Sequence, residues 1–238
     1  MRIGLISDIH GNYSALLTAL GWLRRQSIDQ IVCAGDLVGY NAQVVEVVER
    51  IAQEGIACVR GNHEALLDTP EAWPNLSELK RKSLEFSHRN LDTGARAFLS
   101  ALPLKLRFDW DGRSVLMVHG SPRDPLYEYL YPEKLVTFTE DPHAEVVVLG
   151  HTHKQFQQRS GSTLYVNPGS CGVLRDGDPR LGCGILDTKT ADVRLVRLDY
   201  NTEPVINANR AAHFPEEIND YLRLGKRAIT KVTTSISP

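Results

Sequence analysis

Several things are missing from this sequence, and each absence narrows what it can be. No apolar stretch approaches the roughly 20 residues that a membrane-spanning helix needs, so no membrane role is expected. Neither sign of charge is in excess. Lys and Arg number 27 against 29 Asp and Glu, a formal net charge of -2. That excludes a global basic field drawing the chain to nucleic acid or anionic lipid, and leaves only a local site for such a ligand. The four cysteines (Cys33, Cys58, Cys171, Cys183) form no C-x-x-C pair and lie mostly in apolar runs. They read as reduced packing residues of a cytoplasmic protein rather than as zinc ligands or nucleophiles. The first strand-like run starts at Arg2 and meets a carboxylate at Asp8, which leaves no room for the apolar core of a signal peptide. Internal repeats, low-complexity segments and linkers are also absent.

What is present has the composition of an ordinary globular protein, 42% hydrophobic and 24% charged, in a length that can hold a substantial core. One domain over residues 1–238 is expected. "RIGLIS", "DQIVCA" and "IACVR" read as strands. Between them, "YSALLTALGWLRR" carries Leu16, Leu20 and Leu23 on one helical face, with Asn12 or Ser14 as its cap. "NAQVVEVVERIAQEG" reads as a second helix, capped near Asn41 and stopped at Gly55. This alternation predicts parallel strands covered by helices. Residues 64–102 are helical in pattern and form an insertion without a convincing strand. Beyond them the strands are short: "LKLRF" and "SVLMVHG" around an Asp111-Gly112 turn, then "AEVVVL", "QFQQR", "TLYV", "CGILD" and "VRLVRLDY". Residues 203–224 read as a C-terminal helix, and "TKVTTSISP" as a frayed end. The expected class is α/β, with two packed sheets flanked by helices.

The polar residues fall at strand ends. "GLIS" runs into Asp8 and His10, "IVCAG" into Asp36, "ACVRG" into Asn62 and His63, "LMV" into His119, and "VVVLG" into His151 and His153. Parallel strands deliver their C-terminal ends to one edge, so distant motifs can meet in one cleft. Two carboxylates, an amide oxygen and at least four imidazoles make a mixed oxygen and nitrogen donor set. It suits Mn, Fe, Zn, Co or Ni better than Ca or Mg, and exceeds what one tetrahedral ion requires. Two ions sharing a carboxylate would use all of it. Asp36, alone at its strand end, is the natural bridge. The Asp-x-His and His-x-His spacings would turn both side chains of each pair the same way if those segments are extended. Taken singly, each motif reads as a turn, a cap or a satisfied core histidine; in this order, at successive strand ends, they point to one site. His88, His143 and His213 are expected not to be ligands, with His88 left as one that could face the cleft.

The motifs "SDIHGN", "AGDLVGYN", "RGNHE", "VHGSPRDP" and "GHTH" occur in the order of the calcineurin-like metallophosphoesterases, which this chain resembles from Asp8 to His153. "NPGSCGVLRDGDPR" extends the likeness to the small bacterial branch of phosphodiesterases and diadenosine-tetraphosphatase-like enzymes. The resemblance implies a β-sandwich of two mixed sheets in a four-layer architecture. It implies one metal held by Asp8, His10, Asp36 and His153 and a second by Asp36, Asn62, His119 and His151. His63 would face the scissile ester instead of binding metal. Glu64, where many members carry Asp, receives no catalytic role. The cofactors implied are two divalent transition ions, Mn first, with Fe, Zn, Ni or Co as alternatives. A metal-bridging hydroxide would attack phosphorus in line, with His63 stabilising or protonating the leaving group. Asn12, Tyr40, Arg123 and Arg175, in loops near the motifs, are expected to bind a small-molecule phosphoester. A phosphodiesterase or nucleotide hydrolase is the leading reading. A phosphomonoesterase or protein phosphatase is the alternative within the enzymes. Outside them stands a protein-binding scaffold, since the retromer subunit of this fold acts chiefly in that way.

Overall fold

The computed structural model describes residues 1–227; the expected frayed end at residues 230–238 lies outside them. The first three strands are β1 (Arg2–Ile6), β2 (Gln30–Cys33) and β3 (Ala57–Cys58), separated by α1 (Tyr13–Arg24) and α2 (Val44–Gln53). In α1 the buried Ala15, Leu16, Ala19, Leu20 and Leu23 recur at the three- and four-residue spacing of one helical face. The Asn12 side chain caps it by accepting from the Ala15 N–H at 3.1 Å. The second helix is capped at Gln43, two residues later than its sequence suggests. Asn41 is not its cap, because its side chain is engaged elsewhere: Oδ1 accepts from the Asn209 amide at 2.9 Å and the Asn41 amide donates to the His10 carbonyl at 2.9 Å. The third strand is only two residues long, shorter than "IACVR" suggests.

Residues 62–100 hold four helical segments and no strand: α3 (Asn62–Leu67), a 3-10 turn (Pro70–Asn75), α4 (Glu78–Asn90) and α5 (Thr93–Ser100). Helix α3 begins at Asn62, so Asn62 and His63 open a helix and do not merely end a strand. Strands β4 (Lys105–Trp110) and β5 (Arg113–Val118) then form a hairpin. Its two turn residues, Asp111 and Gly112, both have positive φ (55° and 78°), the backbone that an Asp-Gly turn supplies. The chain continues through α6 (Pro132–Leu135), β6 (Val146–Val148), β7 (Gln155–Ser160), β8 (Thr163–Pro168), β9 (Leu181–Asp187) and β10 (Asp192–Leu198). The expected C-terminal helix is two, α7 (Glu203–Ala211) and α8 (Glu217–Leu224). They are separated by a segment holding Pro215, whose ring and missing N–H do not continue a helix.

Two five-stranded sheets result, in the orders β10-β9-β1-β2-β3 and β4-β5-β6-β8-β7. In the first, β1, β2 and β3 are parallel and β9 and β10 run against them. In the second, β5, β6 and β8 are parallel between antiparallel edges. The expected mixed two-sheet sandwich is therefore the fold observed. Strand alternation explains its layers. Ile3, Leu5, Val32 and Ala34 meet Val115, Met117, Val146, Val148 and Val166 between the sheets. Ile6 and Cys33 face the other way, against Leu16, Leu20 and Leu23 of α1 and Val44, Val47 and Ile51 of α2. The outer face of the second sheet, with Leu116, Val118, Val147 and Tyr165, is covered by Leu130, Leu135 and Phe138 of the 120–144 segment. Each such fully buried aliphatic side chain contributes about 1.5–3 kcal/mol. Rigid sheets on both sides fix where the C-terminal ends of β1, β2, β3, β5 and β6 lie.

The C-terminal helices are tied to this edge by buried amides. The Asn209 carboxamide accepts from the Ala42 N–H at 2.9 Å and donates to Asn41 Oδ1 at 2.9 Å and Asn219 Oδ1 at 3.1 Å. Asn41 in turn holds the His10 carbonyl. All three asparagines are buried. Replacing Asn209 by Ala strands buried partners, at about 1–3 kcal/mol for each group left unpaired. The expected loss is about 2–4 kcal/mol, read from the urea midpoint at unchanged slope. A loss below about 0.5 kcal/mol would show that the amide chain does not hold the helices.

Candidate metal centre

Every loop that leaves the C-terminal end of β1, β2, β3, β5 or β6 brings a polar side chain to one place. Asp8, His10, Asp36, Asn62, His63, His119, His151 and His153 are all at most 6% exposed. Potential donor atoms fall into groups whose members lie within 4.8 Å of one another: Asp8 with His10 and His153, Asp36 with His119 and His151, and His10 with Asp36 and His63. Asp36 and His10 link the groups, so the residues form one continuous cluster. Both histidines of "GHTH" are in it, 143 positions from Asp8 and His10 in the paired contacts.

Backbone conformation places these side chains, and not by the extended geometry expected. Asp8, His10, Asp36, His151 and His153 all have φ between 48° and 65°. Paired residues two apart therefore face the same centre by successive left-handed turns, and not by strand alternation. Asp and His tolerate this region better than most residues, yet it still costs on the order of 1 kcal/mol or more at each position. Loop-to-loop bonds impose it: the N–H groups of Asp8 and His10 donate to the carbonyls of Gly35 and Asp36, and that of His151 to the Asp8 carboxylate. The glycine before Asn62 follows from the same crowding. A Cβ on Gly61 would lie 2.1 Å from Asp36 Oδ1.

Each of the four grouped imidazoles apart from His63 has one ring nitrogen tied to a backbone carbonyl. His10 Nδ1 donates to Val38 O at 2.9 Å, His119 Nδ1 to Ala34 O at 2.8 Å, and His153 Nδ1 to Val173 O. His151 reverses the arrangement, with Nε2 donating to Tyr127 O at 3.2 Å. A carbonyl only accepts, so each bond fixes which nitrogen carries hydrogen and frees the other. The free Nε2 atoms converge: His10 and His153 are 3.2 Å apart, His153 is 3.3 Å from Asp8 Oδ1, and His119 is 3.3 Å from Asp36 Oδ2 and 3.1 Å from Asn62 Oδ1.

The electrostatics of this cluster fit a cation. Burial, with the Asp36 charge adding to it, pushes the Asp8 carboxyl up to about 7. Burial does the same to Glu64, again to about 7. Burial would also raise Asp36, but His119 and His63 outweigh it and hold Asp36 well below its ordinary range. His119 shows the counterpart: burial lowers it, but Asp36 raises it to about 10. Burial keeps the remaining imidazoles neutral, with His10 down at about 4, His151 at about 3, and His63 and His153 well below the usual value. Neutral imidazoles, carboxylates and one amide are ligand groups, and the buried carboxyl groups of Asp8, Asp36 and Glu64 face only one imidazole held positive, His119. The donor set thus fits divalent transition ions.

The surrounding residues differ in how closely they join this cluster. His63 packs edge-on against His10 at 4.7 Å and beside Tyr40 at 5.0 Å. Its buried Nδ1 has no hydrogen-bond partner. Held neutral by burial, its ring offers one N–H as a hydrogen-bond donor. Tyr40 is itself buried, edge-on to His10, and its hydroxyl accepts from Arg175 at 2.8 Å. Two residues expected to bind substrate do not reach the centre. Asn12 caps α1, and its two amide hydrogens go to Gly172 O and the Tyr200 hydroxyl, which leaves no donor for a ligand. Arg123 is exposed, pairs with Glu128 and lies over the Phe138 ring. His88, His143 and His213 are exposed and stay outside, as expected.

Sequence reasoning gave Glu64 no catalytic role and named no other; the structure shows a positioning one. Its carboxylate accepts from the N–H groups of Asp36, Leu37, Val38 and Gly61 at 2.8–3.1 Å, joining the loop after β2 to that after β3. The signal was present in "GNHE", a helix N-cap with Glu three residues on. Tyr129, stacked on the His151 ring at 3.9 Å, left no comparable mark.

With this geometry in place, the likeness to known proteins is specific. The model of the calcineurin-like phosphoesterase superfamily domain matches residues 1–191. An uncharacterized protein of Methanocaldococcus jannaschii, MJ0912, is 28% identical, over 94% of this chain and 98% of that protein. The phosphodiesterase YfcE of Escherichia coli K12 is 25% identical, over 81% of this chain and 91% of its own length. The crystal structure of a metallophosphoesterase from Sphaerobacter thermophilus superposes with a TM-score of 0.78 at 28% identity, covering 94% of this chain and 99% of that one. The chain, with its site on the parallel strand ends of a two-sheet sandwich, belongs to the calcineurin-like phosphoesterase superfamily.

Proposed function

We propose that this protein hydrolyses phosphodiesters or nucleotides with two divalent transition ions, Mn foremost. The observation that carries the reading is the shared carboxylate. Asp36 lies 3.6 Å from the His10 Nε2 and 3.3 Å from the His119 Nε2, between two donor groups. One ion would be held by Asp8, His10, Asp36 and His153, the other by Asp36, Asn62, His119 and His151. The phosphodiesterase name of YfcE supports the choice of ester. When bound, the ions would neutralise phosphate oxygens and make water acidic enough to attack at neutral pH.

The chain's own residues do the rest. The carbonyls of Val38, Ala34, Val173 and Tyr127 hold the imidazoles in the ligating tautomer. Glu64 holds Asp36 from behind. His63, neutral and adjacent to His10, offers an N–H to a phosphate oxygen or the leaving oxygen. Arg175, half-buried and steadied by the Tyr40 hydroxyl, is set to clamp a phosphoryl oxygen. The four free buried thiols are in keeping with a reducing, cytoplasmic setting.

Chelator-stripped protein should lose activity on a nitrophenyl phosphodiester and regain it with Mn. His63→Ala should lower kcat by about 10²–10⁴ while the metal content stays at two ions per chain. Full turnover by the stripped protein, or by the variant, would sink the mechanism. Metal stoichiometry tests the split of "GHTH". His151→Ala and His153→Ala should each retain one tightly bound ion and the double variant none. A double variant that still holds one ion would place both histidines on the same metal.

A further inference from the structure

The segment after His119 contains "YEYLY", Tyr127 to Tyr131. Residues 128–131 are in no helix or strand, and Leu130 is buried under the second sheet. In an extended run the residues on either side of it share the opposite direction. That is where Tyr129 and Tyr131 lie. The Tyr129 ring stacks on His151 at 3.9 Å and 25°, and the Tyr131 ring follows at 6.1 Å, parallel to within 8°. Three flat rings thus form a row that starts at the metal cluster and leads away from it.

Packing explains only the first step of this row. His151 is already oriented by the Tyr127 carbonyl, and Tyr129 shields one face of its ring. Tyr131 touches no ring of the cluster. Both tyrosines remain partly exposed, unlike Tyr40 and Tyr165, which are buried. Cations surround the outer ring. Lys154 Nζ lies 5.5 Å from the Tyr131 centroid and Lys134 Nζ 6.0 Å. Among the described residues neither lysine has a carboxylate partner. Lys134 also donates to the Tyr129 carbonyl at 3.0 Å, so it is fixed beside the row. Partly exposed stacked rings with cations over the outermost one, leading away from a candidate phosphate-binding centre, are the means by which proteins hold a nucleotide: the rings take the base, the cations its phosphates.

We propose that Tyr129 and Tyr131 form a stacking subsite for the base of a nucleotide whose phosphate occupies the metal centre. The substrate class is then a nucleoside phosphoester in preference to a simple alkyl or sugar phosphate. This rests on the phosphoesterase reading only for where the phosphate sits.

The test is equilibrium titration of the Mn-loaded protein with adenosine 5'-monophosphate and with ribose 5-phosphate, which share the phosphate and the sugar. Stacking should make the nucleotide bind about five- to a hundredfold more tightly. Tyr131→Leu should bring the ratio of the two affinities close to one, and Tyr131→Phe should keep it. Tyr131 is the position to change because Tyr129 also supports His151; thermal melts check that both variants fold. Equal affinities in the unchanged protein would overturn the subsite. So would a ratio that survives Tyr131→Leu, or one that Tyr131→Phe abolishes. Base discrimination without turnover of any ester would refute the phosphoesterase reading and leave the subsite standing. Turnover of a nitrophenyl diester without base discrimination would do the reverse.

Discussion

The carboxylate of Asp36 and the carboxylate behind it carry the centre between them. Asp36 reaches the imidazoles of His10 and His119 and accepts from the His63 N–H at 2.9 Å. Glu64 accepts the N–H of Asp36 and those of the next two residues, and closes the arrangement at Gly61. Two buried anions in contact through one stretch of backbone are unfavourable alone. The four N–H bonds to Glu64 and the imidazoles around Asp36 offset that cost. The rest of the centre depends on this balance. The loop after β2 sits where Glu64 ties it, and His10 and Gly11 donate to the carbonyls of Asp36 and Leu37 in that loop.

The same dependence explains how much was legible in the sequence. All seven proposed ligands and His63 stand out because each follows an apolar run, and in an α/β fold such runs end on one edge. The two-sheet class was legible too, since strand-rich texture begins where the helical segment ends. What escaped was whatever rests on backbone. The left-handed turns at Asp8, His10, His151 and His153 replace the extended geometry that their spacing suggests, because the bonds imposing them come from other loops. The carbonyls that set the imidazole tautomers have no side-chain signature at all. Asn12 and Asn41 show the opposite error. Each is a polar residue near a motif, and each is engaged by the scaffold.

Asn41 also shows that the centre extends beyond its motifs. The family match ends at residue 191, yet Asn209 and Asn219, on α7 and α8, hold the amide that holds the His10 carbonyl. Ser170, after β8, adds another prop, its hydroxyl donating to the Asp8 carbonyl at 2.7 Å. Asp8 and His10 sit in a strained backbone region, so an unsupported loop would relax and move both side chains off the centre. The C-terminal helices and the β8 turn bear on the pair of residues that opens the site.

Charge decides the chemistry that such a scaffold can support. Inside the cluster the carboxyl groups of Asp8, Asp36 and Glu64 outnumber the one imidazole, His119, that the Asp36 charge keeps positive against burial. At its edge the balance reverses. Arg175 and the half-buried Lys80 of α4 have no carboxylate partner among the described residues, and burial together with Arg175 lowers the Lys80 pKa. A dry anionic centre with a cationic border would repel a phosphoester if it stayed anionic. Under the proposed function, divalent ions would change the sign at the centre, and ions, Arg175 and Lys80 would then attract the same anion.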